Sequence, residues 1–204
     1  MRERRVPVWA TDLIARVEQD PEFRARRKAF EAERAAQAEA REEACEPVVA
    51  DLRSHGVDVE SLWDLLKQPE SYPTGAIPVL LMHLRREYPE GTLQFIGDAL
   101  PLKPAVTWWD EFKSLYLTTR SDAVRDRMAA AMSQCAVNKH YSDLLTFISN
   151  PNLGESRIYF LGPINSIGNR MKAGEGRKVI ESVADDPTLG IQAARILEGK
   201  SRNQ

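Results

Sequence analysis

The sequence predicts an all-α protein arranged as a solenoid of helical hairpins. Three observations carry that expectation. Asn150-Pro151-Asn152-Leu153-Gly154 and Asp186-Pro187-Thr188-Leu189-Gly190 share one X-Pro-X-Leu-Gly pattern, with the two prolines 36 positions apart. Apolar runs at helical spacing flank both turns. Leu144, Leu145, Phe147 and Ile148 precede the first, and Ile158, Phe160 and Leu161 follow it. Val179, Ile180, Val183 and Ala184 precede the second, and Ile191, Ala194, Ile196 and Leu197 follow it. No stretch shows sustained period-two alternation of Val, Ile, Thr and aromatics, the mark of a half-buried strand. A helix, a proline-marked turn and a helix, repeated at this spacing, form a unit that buries its apolar face only against its neighbours.

The elements follow in order. Thr11-Asp12 is a helix cap ahead of Leu13, Ile14 and Val17. Asp20-Pro21-Glu22 combines a cap, a proline at the first helical position and an acid in the first turn. From Phe23 to Cys45 the chain is dense in Ala, Glu, Arg and Gln, all strong helix formers. Phe23 and Phe30 are seven apart, but Gln37 breaks the apolar series, so a solvated helix with Glu/Arg pairs is expected. A self-association seam through 21–45 is the sharper alternative. Glu46-Pro47 is expected to restart a helix through Val48, Val49 and Leu52, stopped at Gly56. Leu62, Trp63, Leu65 and Leu66 make a short helix, and 68–75 a loop.

Residues 74–88 read as an amphipathic helix, with Ile77, Leu80, Leu81, Leu84 and Tyr88 on one face. Leu93, Phe95, Ile96, Ala99 and Leu100 form its return, stopped by Pro101 and Pro104. Trp108, Trp109, Phe112, Leu115 and Tyr116 form the next helix. Thr119-Arg120-Ser121-Asp122 caps another, whose inner face is Val124, Met128, Ala131, Met132 and Cys135. Ser156 to Leu161 has local strand character, but the repeat places it in a helix. Gly162-Pro163 and Gly168-Asn169 are expected to interrupt a helical run, and Gly174-Glu175-Gly176 to make a flexible turn. The total is about ten helices, mostly roughly 10 to 15 residues long. Residues 1–55 read as a helical extension and 56–204 as the solenoid.

Tyr72 to Leu81, Asp122 to Met132 and the two Pro-X-Leu-Gly turns resemble HEAT-like repeats, over roughly Gly56 to Gly199. The resemblance implies a right-handed α-solenoid following a long charged N-terminal helix. It implies functions that range from partner-binding scaffolds to a few enzymes, so function has to be argued from a site.

Composition narrows the choice. The chain has 204 residues, 43% hydrophobic, with 28 basic and 30 acidic side chains and a net charge of -2. Residues 1–55 carry 11 basic against 12 acidic groups and the rest 17 against 18, so neither part has the basic excess of a nucleic-acid binder. Cys45 and Cys135 are far apart with no CxxC, which reads as two reduced thiols rather than a disulfide framework or zinc knuckle. No apolar h-region follows the charged N-terminus, and the most apolar stretch, 76–82, is far below the ~18 residues of a membrane span. A cytoplasmic protein without membrane contact is expected.

Trp108-Trp109-Asp110-Glu111 is the most notable local cluster. Adjacent helical side chains diverge by about 100°, so one tryptophan is expected in the core and the other at the side. As a site it offers an aromatic surface with an acid beside it. Some HEAT-like DNA glycosylases resemble this arrangement, which would make Asp110 the catalytic acid through carboxylate stabilisation of positive charge. Arg120, Arg125, Arg127, Arg157, Arg170, Lys172, Arg177 and Lys178 make the second half locally basic and suggest an acidic-peptide or anion surface, and the Gly162-Pro163 and Gly168-Asn169 interruptions would expose Asn165, Asn169 and Arg170 beside it. Arg157 falls in a first helical turn, where a cation opposes the helix dipole. It is therefore expected to have a specific acidic partner. His55, His83 and His140 are scattered without ligand spacing, and no nucleophile, phosphate or dinucleotide motif is present, so no metal or cofactor is expected. The reading that emerges is a non-enzymatic module or adaptor that grips a protein partner, toxin neutralisation being one form of it. A base-processing enzyme and a homo-oligomer built through the N-terminal helix are the alternatives.

Overall fold

The computed structural model describes residues 17, 20–67, 73, 75–100 and 104–199. The helix expected over 11–17, Val17 apart, and most of the loop expected over 68–75 lie outside the described residues. All the regular structure among the described residues is helical. The α-helices are α1 (Pro21–Ser54), α2 (Leu62–Lys67), α3 (Ala76–His83), α4 (Glu90–Asp98), α5 (Trp109–Thr118), α6 (Asp122–Cys135), α7 (Tyr141–Ile148), α8 (Leu161–Met171), α9 (Glu175–Ser182) and α10 (Gly190–Gly199). Segments of 3₁₀ helix at Pro104–Trp108, Asn138–His140 and Pro151–Phe160 lead into α5, α7 and α8.

The chain divides into two units, residues 1–44 and 45–204. Between 21 and 44 the first unit is helical with almost every side chain in solvent, held locally by pairs such as Arg27–Glu31 and Arg26–Glu22. The second unit begins at Cys45, and Cys45, Val48, Val49 and Leu52 are buried in its core. The restart expected at Pro47 does not occur, and α1 continues through that proline. The missing N–H costs one helical bond. Apolar anchors on both sides of Pro47 hold the helical course. Gly56 ends the segment with φ +78°, as its position past a helix end requires.

In the second unit each helix packs on elements near it in the chain: α3 on α4, α5 on α6, α7 on α8, α8 on α9 and α9 on α10. α6 also meets α4 and the 151–160 segment. Its whole expected inner face, Val124, Met128, Ala131, Met132 and Cys135, is buried. Ser121 caps α6 through its hydroxyl, which accepts the Val124 N–H at 3.1 Å. Glu90, at the start of α4, adds acceptors to the Ser121 hydroxyl at 2.8 Å and the Ala123 N–H at 2.9 Å. Tyr116, Phe147 and Phe160 meet edge-on or tilted with centroids 5.0–5.4 Å apart, joining α5, α7 and the 151–160 segment.

The two Pro-X-Leu-Gly turns agree up to their leucines. Asn150 and Asp186 each accept a backbone N–H two residues on, at 3.1 and 2.8 Å, and Leu153 and Leu189 are both buried. They diverge at the glycine. Gly154 has φ +61°, a left-handed backbone suited to glycine, and the chain continues as 3₁₀ helix to Phe160. Gly190 opens α10 directly. The helical expectation for Ser156 to Leu161 thus holds, as 3₁₀ rather than α structure before Leu161.

Two boundaries differ from expectation. α3 ends at His83 instead of running to Tyr88, which folds back so that its hydroxyl meets His83 Nδ1 at 2.8 Å. α8 passes uninterrupted through Gly162, Pro163 and Gly168. Pro163 sits in its first turn, where the absent N–H has no helical partner to lose. Gly168 stays helical because it forms a crossing. A Cβ there would stand 2.7 Å from the backbone of Gly176, and a Cβ on Gly176 would strike the Asn165 backbone. Gly176 accordingly lies inside α9, and only Gly174 keeps a left-handed turn, φ +80°.

Candidate functional site

Of the Trp108-Trp109-Asp110 cluster, Trp109 and Asp110 line a cleft and Trp108 does not. α5 begins at Trp109 because Pro104–Trp108 winds as 3₁₀ helix before it. That register buries Trp109 at 3% exposure and leaves Trp108 half-buried against the core, the division expected of adjacent tryptophans. The cleft is about 300 Å³, lined by Val106, Thr107, Trp109, Asp110, Lys139, His140 and Asp143.

Its floor is an aromatic stack. The Trp109 and His140 rings lie 8° from parallel with centroids 3.8 Å apart. Trp109 Nε1–H donates to Asp143 Oδ2 at 2.9 Å, and Lys113 Nζ donates to Asp143 Oδ1 at 2.5 Å. Burial alone would raise the Asp143 carboxyl. The Lys113 and Trp109 hydrogen bonds and the Lys113 charge outweigh burial and hold it below the usual carboxylate range. The carboxylate stays ionised with both oxygens engaged.

His140 is 4% exposed. The Val137 N–H donates to its Nδ1 at 3.3 Å, so in the neutral ring the hydrogen sits on Nε2. Nε2 has no hydrogen-bond partner among the described residues. Burial and the Lys139 charge depress its pKa, against the opposing pull of Asp143 and Asp110. A neutral N–H donor, the exposed Asp110 carboxylate and the exposed Lys139 ammonium are therefore the open polar groups of the cleft.

The remaining expected site residues lie elsewhere, and none of Arg120, Arg125, Arg157, Asn165 and Arg170 lines this cleft. Arg120 and Arg170 are exposed. Arg125 turns back on its own helix start, bonding Asp122 and the Thr119 carbonyl. Asn165 accepts from Asn169 at 2.8 Å. Arg157 is 3% exposed. Its guanidinium donates to the carbonyls of Ile148 and Gly154 and to both carboxylate oxygens of Asp186. The specific acid expected for it exists, but as an internal partner.

Lys113, Lys139, His140 and Asp143 were not singled out as site residues. Asp143 is 34 positions from Trp109, and only the packing of the hairpins brings the two helix starts together. A legible hint was local: Lys113 is four positions from Trp109 and three from Asp110, the spacings that make it a neighbour of each on α5. Among the described residues, no group of three or more His, Cys, Asp or Glu is placed to hold a metal ion. None of their helices is long and apolar enough to cross a membrane. No family model, curated protein or solved structure matches the chain.

Proposed function

We propose that this chain is a non-enzymatic protein-binding module in which the Trp109/His140 cleft receives an anchoring side chain of the partner. The observation that carries the proposal is the division of labour in the cleft. Trp109 and Lys113 both donate to Asp143, so these polar groups are engaged within the protein. His140 Nε2–H, Asp110 and Lys139 remain open to an incoming group. A donor beside an acceptor suits a polar side chain that can both accept and donate, such as a carboxamide or hydroxyl. Binding is favoured over turnover because the half-buried Asp143 has both oxygens engaged and its pKa held low, which makes it a poor proton acceptor near neutral pH.

The packing of helices on their near neighbours supports reading the second unit as a right-handed, HEAT-like solenoid. Such a surface fits an adaptor or a toxin-neutralising protein of the cytoplasm. The base-processing alternative is less well supported. It needs a tryptophan face free for stacking, whereas Trp109 is buried with His140 over one face.

The test is capture of tagged protein from host lysate, with and without nuclease, in parallel with the Asp110→Lys and Lys139→Glu variants. A stoichiometric protein partner that survives nuclease and is lost with both variants supports the cleft. A partner retained by both variants moves recognition elsewhere. Recovery that depends on nucleic acid reverses the choice in favour of base processing, with Asp110→Asn the next variant.

A further inference from the structure

We propose that residues 21–44 are a self-association surface on which a second copy of the chain lies antiparallel. This stretch is a helix about 36 Å long at ~1.5 Å per residue. It leaves nearly all its side chains in solvent, Phe30 among them at 58% exposure.

The charge order selects the partner. Residues 21–30 carry Arg24, Arg26, Arg27 and Lys28 against the single acid Glu22. Residues 31–44 reverse the balance: Glu31, Glu33, Glu39, Glu42 and Glu43 stand against Arg34 and Arg41. The first half is net +3 and the second net -3. A parallel copy would set like halves side by side. An antiparallel copy, with its two-fold axis near the middle of 21–44, sets each basic half against the partner's acidic half. Phe30 lies beside the axis and Phe23, seven residues earlier, toward the end of the seam, and the axis brings Gln37 of one copy beside Arg26 of the other. The polar break at Gln37 then has a cross-chain partner.

The test uses the full chain of 23.0 kDa in sedimentation equilibrium. The expected result is a reversible dimer of twice that mass, with an association constant falling on the order of tenfold between 0.05 and 0.5 M salt as the charges are screened. Reversing the basic half (R24E, R26E, R27E, K28E) is expected to give a monomer that keeps its helical circular dichroism. Mixing it with a chain whose acidic half is reversed (E31K, E33K, E39K, E42K, E43K) is expected to restore association. Orientation is read by cross-linking, since native Cys45 and Cys135 are buried. Gln37→Cys should cross-link with Arg26→Cys and not with itself. A chain that stays monomeric at high concentration, a dimer indifferent to the charge reversal, or efficient Gln37→Cys self-cross-linking would each overturn the proposal.

Discussion

Arg157 grips Asp186 through two parallel hydrogen bonds, Nη1 to Oδ2 at 3.1 Å and Nη2 to Oδ1 at 3.2 Å, and so ties the two Pro-X-Leu-Gly turns together. Asp186 Oδ1 also accepts the N–H groups of Thr188 and Leu189 at 2.8 and 3.0 Å. One carboxylate thus shapes its own turn and anchors the segment after the other. Burial would raise the Asp186 carboxyl, but the Leu189 and Thr188 N–H groups and Arg157 together hold it below its ordinary value. Removing either partner is expected to destabilise the protein, and unequally. Asp186→Ala leaves a buried cation uncompensated and should cost about 3–5 kcal/mol. Arg157→Met removes the cation itself and should cost less, about 1–3 kcal/mol for the acceptors left behind. Urea denaturation of both variants decides it, and a larger loss for Arg157→Met would contradict the account. Because the folded pKa of Asp186 is depressed, its contribution is present above about pH 4 and disappears as pH falls through the folded value.

Leu153 and Leu189 occupy matching buried positions, so each Leu→Ala change should cost about 2–5 kcal/mol. The glycines that follow them should part company. Gly154→Ala forces a left-handed backbone on a residue with a Cβ, at about 1–2 kcal/mol, although nothing lies within 4 Å of that Cβ. Gly190→Ala has no such strain and instead meets the Ala184 carbonyl oxygen. Substituting a D-alanine at each position by chemical ligation separates the causes. It should rescue Gly154 and fail to rescue Gly190.

That divergence marks how far the sequence was legible. Helix existence was readable, because the inner faces of α6 and α7 follow helical spacing without exception. The turn repeat was readable through its leucines. Where it broke was not, since both pentapeptides end in the same Leu-Gly and only tertiary packing decides which glycine turns left-handed. Gly162, Pro163 and Gly168 suggested an interruption by composition alone. Helix α8 survives them because Pro163 is in a first turn and Gly168 faces Gly176. In the site, the split between Trp108 and Trp109 followed from helical geometry. His140 and Asp143 could not be found by spacing, because their link to Trp109 is made by folding of separate hairpins.

The Gly168–Gly176 crossing makes a contrast with a built-in control. Gly168→Ala and Gly176→Ala both drive a methyl group into backbone and should each cost about 1–3 kcal/mol through forced separation of α8 and α9. Gly162→Ala lies in the same helix with open space around it and should stay within about 1 kcal/mol of neutral. Thermal unfolding of the three single variants is sufficient. Equal gains at all three positions would mean that helix propensity, not close approach, governs this region.

Two buried histidines make the stability dependent on pH just below neutrality. His83 is fully buried, with Nε2 3.0 Å from Asp51 Oδ2, the Tyr88 hydroxyl on Nδ1, and Arg86 alongside. That set of partners fits a neutral ring donating to Asp51 and accepting from Tyr88. Burial and the Arg86 charge lower its pKa, with Asp51 opposing, and His140 is lowered by burial and Lys139. In the unfolded chain both titrate near the ordinary value of about 6.5. Between that value and the folded pKa, the unfolded state binds protons that the native state refuses. Their contribution is therefore complete above about pH 6.5, falls as pH drops toward the folded values, and levels off below them. NMR titration of the imidazole resonances should place both midpoints below about 6.5, and the urea midpoint should decline over the same window. A midpoint above about 7 for His140 would show the ring to be mostly charged at neutrality, making it a cation rather than a neutral donor in the cleft.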